Sequence, residues 1–257
     1  MKTKILFVTV LFTILSVQDA RSQIFHEVGA YIGFVAMYSD YGQRNNFETN
    51  IGNTGFGAGA VHYLNFSYGS KTDFNLHFMV RNEFSFHSTN LQHYGDWVSA
   101  ARTSESADKL RAMKGSTTVF EFGSHLEYHP RDINSFSYGS FALAPFVGVG
   151  LNVVFYNPKV TSELGRINTP ETTPVKYYNA FKTGMSTTFA LVGTVGTRYK
   201  LNQESDLMLM LRWQYYFSDW VDGLNPSFEN NKTIEVPENK SNDWLFGINL
   251  GYIYYLN

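Results

Sequence analysis

Two groups of side chains in this sequence have the types that chemistry needs. His87 and Ser88 are adjacent, Asp96 follows in the same stretch, and Asp40 lies in an earlier one. A base, a hydroxyl and a carboxylate are the parts of a nucleophilic acyl-transfer site. No catalytic motif surrounds them, and such residues occur in any long polar loop, so they define no active site and no catalytic residue is assigned. His87 with His93 lacks a carboxylate at ligand spacing around both, so no metal ligand is assigned either. Gly55-Phe56-Gly57-Ala58-Gly59 has the glycines of a phosphate loop but neither the lysine nor the helix that must follow. Cysteine is absent, which removes thiolate chemistry and disulfides. No cofactor is implied.

The second group is charged: Glu27, Arg81, Glu83, Glu121, Glu127, Arg198, Lys200 and Arg212. These four cations and four anions stand at alternate positions of long apolar segments, and their chemistry is pairing. Period-two alternation marks eight such segments, at 26–37, 54–67, 74–87, 116–129, 141–156, 187–201, 207–219 and 243–257. Each exceeds the roughly 5 to 6 residues of an ordinary strand and covers the roughly 9 to 11 of a tilted membrane strand. In the last, Trp244, Phe246, Ile248, Leu250, Tyr252, Tyr254 and Leu256 form one face, while Gly247, Asn249 and Gly251 lie on the other.

A charge facing lipid at mid-membrane costs about 2 to 4 kcal/mol for Arg or Lys, so a spanning barrel keeps one face free of charge. Along 74–86, 118–128, 141–155, 187–201, 207–217 and 244–256 the apolar phase of segments three to eight contains no Asp, Glu, Lys or Arg, whereas the opposite phase holds Arg81, Glu83, Glu121, Glu127, Arg198, Lys200 and Arg212. The connections alternate too: 68–73, 130–140 and 202–206 are short, while 38–53, 88–115, 157–186 and 220–242 are long and polar. Short periplasmic turns and long extracellular loops are the pattern of outer-membrane barrels. The reading is an all-β, eight-stranded antiparallel up-and-down transmembrane β-barrel with long extracellular loops and both termini periplasmic.

Several finer expectations follow. Eight strands leave a lumen that side chains fill, so the eight inward charges are expected to form a neutral ion-pair network without an ion path. Arg212 and Glu121 are placed at mid-height and Arg81 with Glu83 nearer the outside. Tyr128, Tyr199, Tyr252 and Tyr254 read as the periplasmic aromatic girdle, and Trp213, Tyr215, Phe217 and Trp244 as the outer one. Pro145 predicts a bulge or break in strand five. His62 is the odd member of the outward face of strand two. A helix is predicted within 96–114, with Trp97, Ala101, Leu110 and Met113 partly on one side. The fourth long loop is acidic, with Asp219, Asp222, Glu229, Glu235, Glu238 and Asp243 against Lys232 and Lys240, and reads as a solvated, charge-rich loop.

Lys2 and Lys4 precede an apolar run over 5–17, and Ala20-Arg21-Ser22 supplies a cleavage site before Gln23. The run falls short of the roughly 20 residues of a spanning helix. The domains are thus a signal peptide at 1–22 and a barrel at 23–257. The net charge of -2 argues against nucleic acid as a partner.

With a leader, eight alternating segments, inward Arg/Glu pairs and an aromatic final strand, the chain resembles small OmpA/OmpX-type outer-membrane barrels. Ser22-Gln23 followed by Ile24-Phe25-His26-Glu27-Val28-Gly29 resembles the start of small barrels from Bacteroidota, including the PorG-like group linked to type IX secretion. The resemblance implies a bacterial outer membrane, lipid and lipopolysaccharide as surroundings, and other outer-membrane proteins as partners. It departs from full-length OmpA in ending at strand eight, without a peptidoglycan-binding domain, and in placing Leu256-Asn257 where a terminal aromatic is usual. The function it suggests is a non-enzymatic accessory or scaffold subunit of an outer-membrane machine. The alternatives are a stand-alone OmpX-like protein for adhesion or membrane integrity, and a lipid A-modifying enzyme built on His87, Ser88 and Asp96 or Asp40.

Overall fold

In the computed structural model the described residues are 24–42, 46–69, 71–225 and 242–256. The leader, the middle of the fourth long loop with Glu229, Lys232, Glu235, Glu238 and Lys240, and Asn257 lie outside them. Eight strands are hydrogen-bonded in chain order: β1 Phe25–Tyr38, β2 Thr54–Asn65, β3 Phe78–Gln92, β4 Met113–Tyr128, β5 Leu143–Ser162, β6 Ser186–Lys200, β7 Ser205–Tyr216 and β8 Trp244–Leu256. All neighbours are antiparallel, and β8 closes on β1 with His26 opposite Leu256 and Tyr38 opposite Trp244. Closure pairs every strand on both sides, the condition for backbone in lipid.

Alternation sets the two faces. On β8 every even residue from Trp244 to Leu256 is exposed and every odd one from Leu245 to Tyr255 is buried. The outward charges on the strands are Lys114 and Lys159, close together in the β4–β5 register (Lys114 opposite Thr161, Ser116 opposite Lys159). They mark where this hairpin rises above the apolar belt.

The structure revises several boundaries. β3 begins at Phe78, because 73–77 form a helix, α1 (Asp73–His77), capped by the Thr72 hydroxyl. At the other end β3 runs on to Gln92, and β5 extends to Ser162 against Met113. Pro145 makes no break. The pairing of β5 with β4 stops at Tyr128 opposite Val147, so Pro145 pairs only with Thr197 of β6 and its missing N–H costs no second ladder. Phe141 precedes β5 and packs on Phe136.

The predicted helix in the second long loop is shorter, α2 (Glu105–Ala112), with the Ser104 hydroxyl accepting the Ala107 N–H. Met113 belongs to β4, and Trp97 sits in a separate 3-10 turn, exposed under the Arg102 guanidinium. A short helix on the turn side, α3 (Ile133–Ser137), buries Ile133 and Phe136. Its Phe136 ring lies 5.2 Å from the Lys200 ammonium and closes that end of the barrel. One apolar cluster fills the loop-bearing mouth, including Met37, Tyr41, Leu91, Met113, Tyr177 and Leu224. A second, including Tyr63, Met79, Phe146, Met208 and Ile253, fills the turn-bearing end.

Candidate functional site

The interior is the densest concentration of chemistry in the molecule. Arg212 projects inward from β7 and donates to Glu83 of β3, to Glu121 of β4 at 2.8 Å and to Gln214 at 2.9 Å. Glu121 is held further by Asn152 of β5 at 2.8 Å and by the Tyr216 hydroxyl at 3.3 Å. His87 Nε2 lies 2.9 Å from the same Tyr216 hydroxyl. Arg81 connects this group downward: its Nη1 is 2.9 Å from Glu127 and its Nε 3.6 Å from Glu83. It therefore spans two carboxylates rather than sitting with Glu83 alone nearer the mouth. Arg198 holds Glu27 and Asp206, whose Oδ2 is 2.6 Å away, and Lys200 donates to the Tyr255 hydroxyl at 2.8 Å.

All eight sequence-chosen charges face the lumen, and the structure brings them into these linked groups. Seven are buried and Lys200 is half-buried. Sequence reasoning missed Asp206, fully buried between Arg198 and Lys200, because the alternation was read as starting at Leu207. The set expected to be neutral thus gains a fifth carboxylate. Inward glycines make the space: a Cβ at Gly150 would lie 2.1 Å from the His125 ring, and one at Gly59 would lie 2.4 Å from the Tyr31 ring. Between β1, β2, β3 and β7 a cavity of about 10 Å³ remains beside Tyr31, His87 and Arg212, room for about one water.

The mouth holds a second cluster that the sequence did not indicate. Asp40 follows β1, Asp219 and Asp222 follow β7, and Asp243 precedes β8. Asp222 accepts the Asp40 N–H at 2.8 Å and the Leu224 N–H at 2.7 Å, and Asp243 accepts the Val221 N–H at 2.8 Å. One oxygen each of Asp40, Asp219 and Asp243 is buried without a hydrogen-bond partner. Burial, reinforced by the neighbouring carboxylates, pushes Asp40 and Asp243 well above the usual aspartate range, although Lys176 pulls Asp40 down. Burial raises Asp219 to about 8, with Asp222 adding to it, and raises Asp222 to about 7 against the pull of its backbone donors. At neutral pH the cluster therefore carries protons. Part of the loop read as solvated is a buried clasp between the first and fourth long loops. Among the described residues no three His, Asp or Glu side chains are arranged to hold a metal ion.

The alternative catalytic set is not brought together. His87 and Ser88 are consecutive in β3 and face opposite sides, His87 into the lumen and Ser88 outward opposite Phe56. Asp40 lies in the mouth cluster and Asp96 in the 3-10 turn. His93 lies above the strands between Tyr41 and Tyr177, where burial and Lys176 push it down to about 3.

The aromatic residues take the outward phase. Trp213, Tyr215, Phe217 and Trp244 touch near the mouth, with Trp213 and Trp244 edge to face at 5.6 Å and Tyr215 against Phe217 at 5.5 Å. Tyr128, Tyr199, Tyr252 and Tyr254 are exposed near the opposite rim. Between these rings the outer surface is largely aliphatic and phenyl, with Leu209, Leu211, Ile248 and Leu250 each at least two-fifths exposed, and the polar Ser124 and Asn82 there hydrogen-bond to each other at 2.7 Å.

A closed eight-stranded barrel with a charge-filled interior and a charge-free apolar belt defines a membrane-spanning β-barrel with a plugged lumen. The chain belongs to the DUF6089 family, a domain of unknown function whose profile spans residues 4–256. Among solved structures it is similar to neisserial surface protein A (11% identity, 89% of this chain and 96% of that one, TM-score 0.45). It is also similar to a major outer membrane protein from Thermus thermophilus (16%, 91% and 99%, 0.47). A third is Ail, the attachment invasion locus protein of Yersinia pestis, in complex with the heparin analogue sucrose octasulfate (9%, 90% and 99%, 0.40). No curated protein matches the sequence.

Proposed function

We propose that this protein is a non-enzymatic, pore-less barrel of the bacterial outer membrane that acts by contact, as an accessory or scaffold subunit of an outer-membrane machine. Its termini face the periplasm and its belt contacts lipid and lipopolysaccharide. The carrying observation is the filled interior: with Arg212, Arg81 and Arg198 each held by buried carboxylates, the lumen offers no path. What remains for function is the belt and the four long loops. The resemblance to Bacteroidota barrels directs the machine toward outer-membrane protein assembly or type IX secretion.

His87 and Ser88, facing opposite sides of β3, support the non-enzymatic reading. Gentle detergent extraction from native membranes, affinity purification and mass spectrometry test the subunit role. Stoichiometric outer-membrane partners are expected, and recovery of the chain alone would point to the stand-alone role instead. The lipid A profile of a His87→Ala, Ser88→Ala strain is expected to match that of the parent.

A further inference from the structure

Two imidazoles stand on the wrong face of the barrel. His26, the second residue of β1, and His62 of β2 both project outward near the rim where β1 begins and β8 ends. Their outward neighbours are apolar, Val28 and Ala30 on β1 and Ala60 and Leu64 on β2. The register sets His26 opposite Leu64 and His62 opposite Val28, so the two are diagonal neighbours on one face. His26 Nδ1 lies 2.9 Å from His62 Nε2, with the rings within 9° of parallel and their centroids 5.2 Å apart.

We propose that His26 and His62 form a two-histidine site for a divalent transition-metal ion of the copper or nickel type. Imidazole nitrogens bind such ions at about 2.0 to 2.1 Å, and two bonds of that length at a right angle span about 2.9 Å. The observed nitrogen separation matches this cis arrangement, which a square-planar or tetragonal ion requires. In the metal-free pair one proton lies between the two nitrogens. On binding, that proton moves to the far nitrogen of its ring, both facing nitrogens present lone pairs, and each ring turns about its side-chain bonds to aim at one point. His26 is exposed and His62 half-buried, which leaves room for that turn and for waters at the remaining positions. Neighbouring strands fix the two Cα positions, so the pair is partly preorganised. Four of the other five histidines, His87, His93, His125 and His129, are held inside the barrel or under its loops, and His77 is bonded to the His129 carbonyl at 2.8 Å.

The test uses the full chain without a histidine tag, folded in detergent micelles and titrated with Cu2+. One ion per chain is expected, with two-imidazole ligation in the electron paramagnetic resonance spectrum. His26→Ala or His62→Ala should each weaken binding at least tenfold and remove one nitrogen from that spectrum, in chains that still show heat-modifiable migration. In the unaltered chain Cu2+ should protect His26 and His62 from diethyl pyrocarbonate, read by mass spectrometry. Parental affinity and spectrum in either variant, or equal labelling with and without Cu2+, would overturn the site.

Discussion

Arg212 shows what a single residue does in this lumen. It is buried and hydrogen-bonded to carboxylates from two strands, so removing it deprives Glu121 of its guanidinium and leaves Glu83 with Arg81, whose Nε is 3.6 Å away. Arg212→Met is expected to cost about 3 to 5 kcal/mol, because breaking a buried pair leaves an uncompensated charge. Urea unfolding in lipid vesicles checks this, and a loss under about 1 kcal/mol would mean that Glu83 and Glu121 find other donors. Gly150→Val drives a methyl-bearing carbon into the His125 ring, which packs beside Arg81. A lower midpoint temperature for the heat-modifiable gel shift is expected, with a cost of about 1 to 3 kcal/mol. The inward charges other than Asp206 were legible from parity alone, since residue type and strand phase assign them to the lumen. Their neutral partners, Asn152, Gln214, Tyr216 and Tyr255, were not. Parity places an inward residue, but only the height and tilt of facing strands decide which inward residues meet.

At the scale of elements, the strands declared themselves because lipid enforces a strict two-residue period, and the places where that period stops were harder to read. β3 and β5 run on past the belt, where water again satisfies outward groups such as Lys159 and no charge rule applies. The helices α1 and α3 are one turn or so long, too short for a 3.6-residue pattern. The mouth clasp was invisible for a further reason: burial of Asp40, Asp222 and Asp243 comes from loops folding over one another, which alternation does not encode. Its pH response has a definite sign. Asp219 and Asp222 titrate near 8 and 7, above an ordinary value of 3.8, so their contribution to holding the loops is greatest below about pH 4. It declines as pH rises and is lost above about pH 8, when the carboxylates repel. Limited proteolysis of the long loops should therefore be faster at pH 9 than at pH 5, and Asp222→Asn should flatten the difference. The belt makes a separate prediction. Ile248 is midway between Trp244 and Tyr252 on β8 and half exposed, so Ile248→Arg should lower folding stability in vesicles by about 2 to 4 kcal/mol. Folding that is indifferent to this arginine would contradict a lipid-facing position.

The whole molecule is a barrel stoppered in three layers: apolar side chains and loops at the mouth, paired charges in the middle, and α3 with its apolar cluster at the turn-bearing end. Its final strand, aromatic outside and glycine- and asparagine-bearing inside, completes both the belt and the plug by pairing with β1. Fold class could be read from the chain because each strand obeys a rule imposed by the solvent around it. Function could not be read so directly, since the proposed role by contact would require only surface, and the belt and loops provide surface of many kinds. Planar-bilayer recording of the purified chain shows most directly whether the lumen is closed. A closed lumen gives a baseline without steady conductance steps at neutral pH, and reproducible, long-lived open steps from the folded barrel would contradict it.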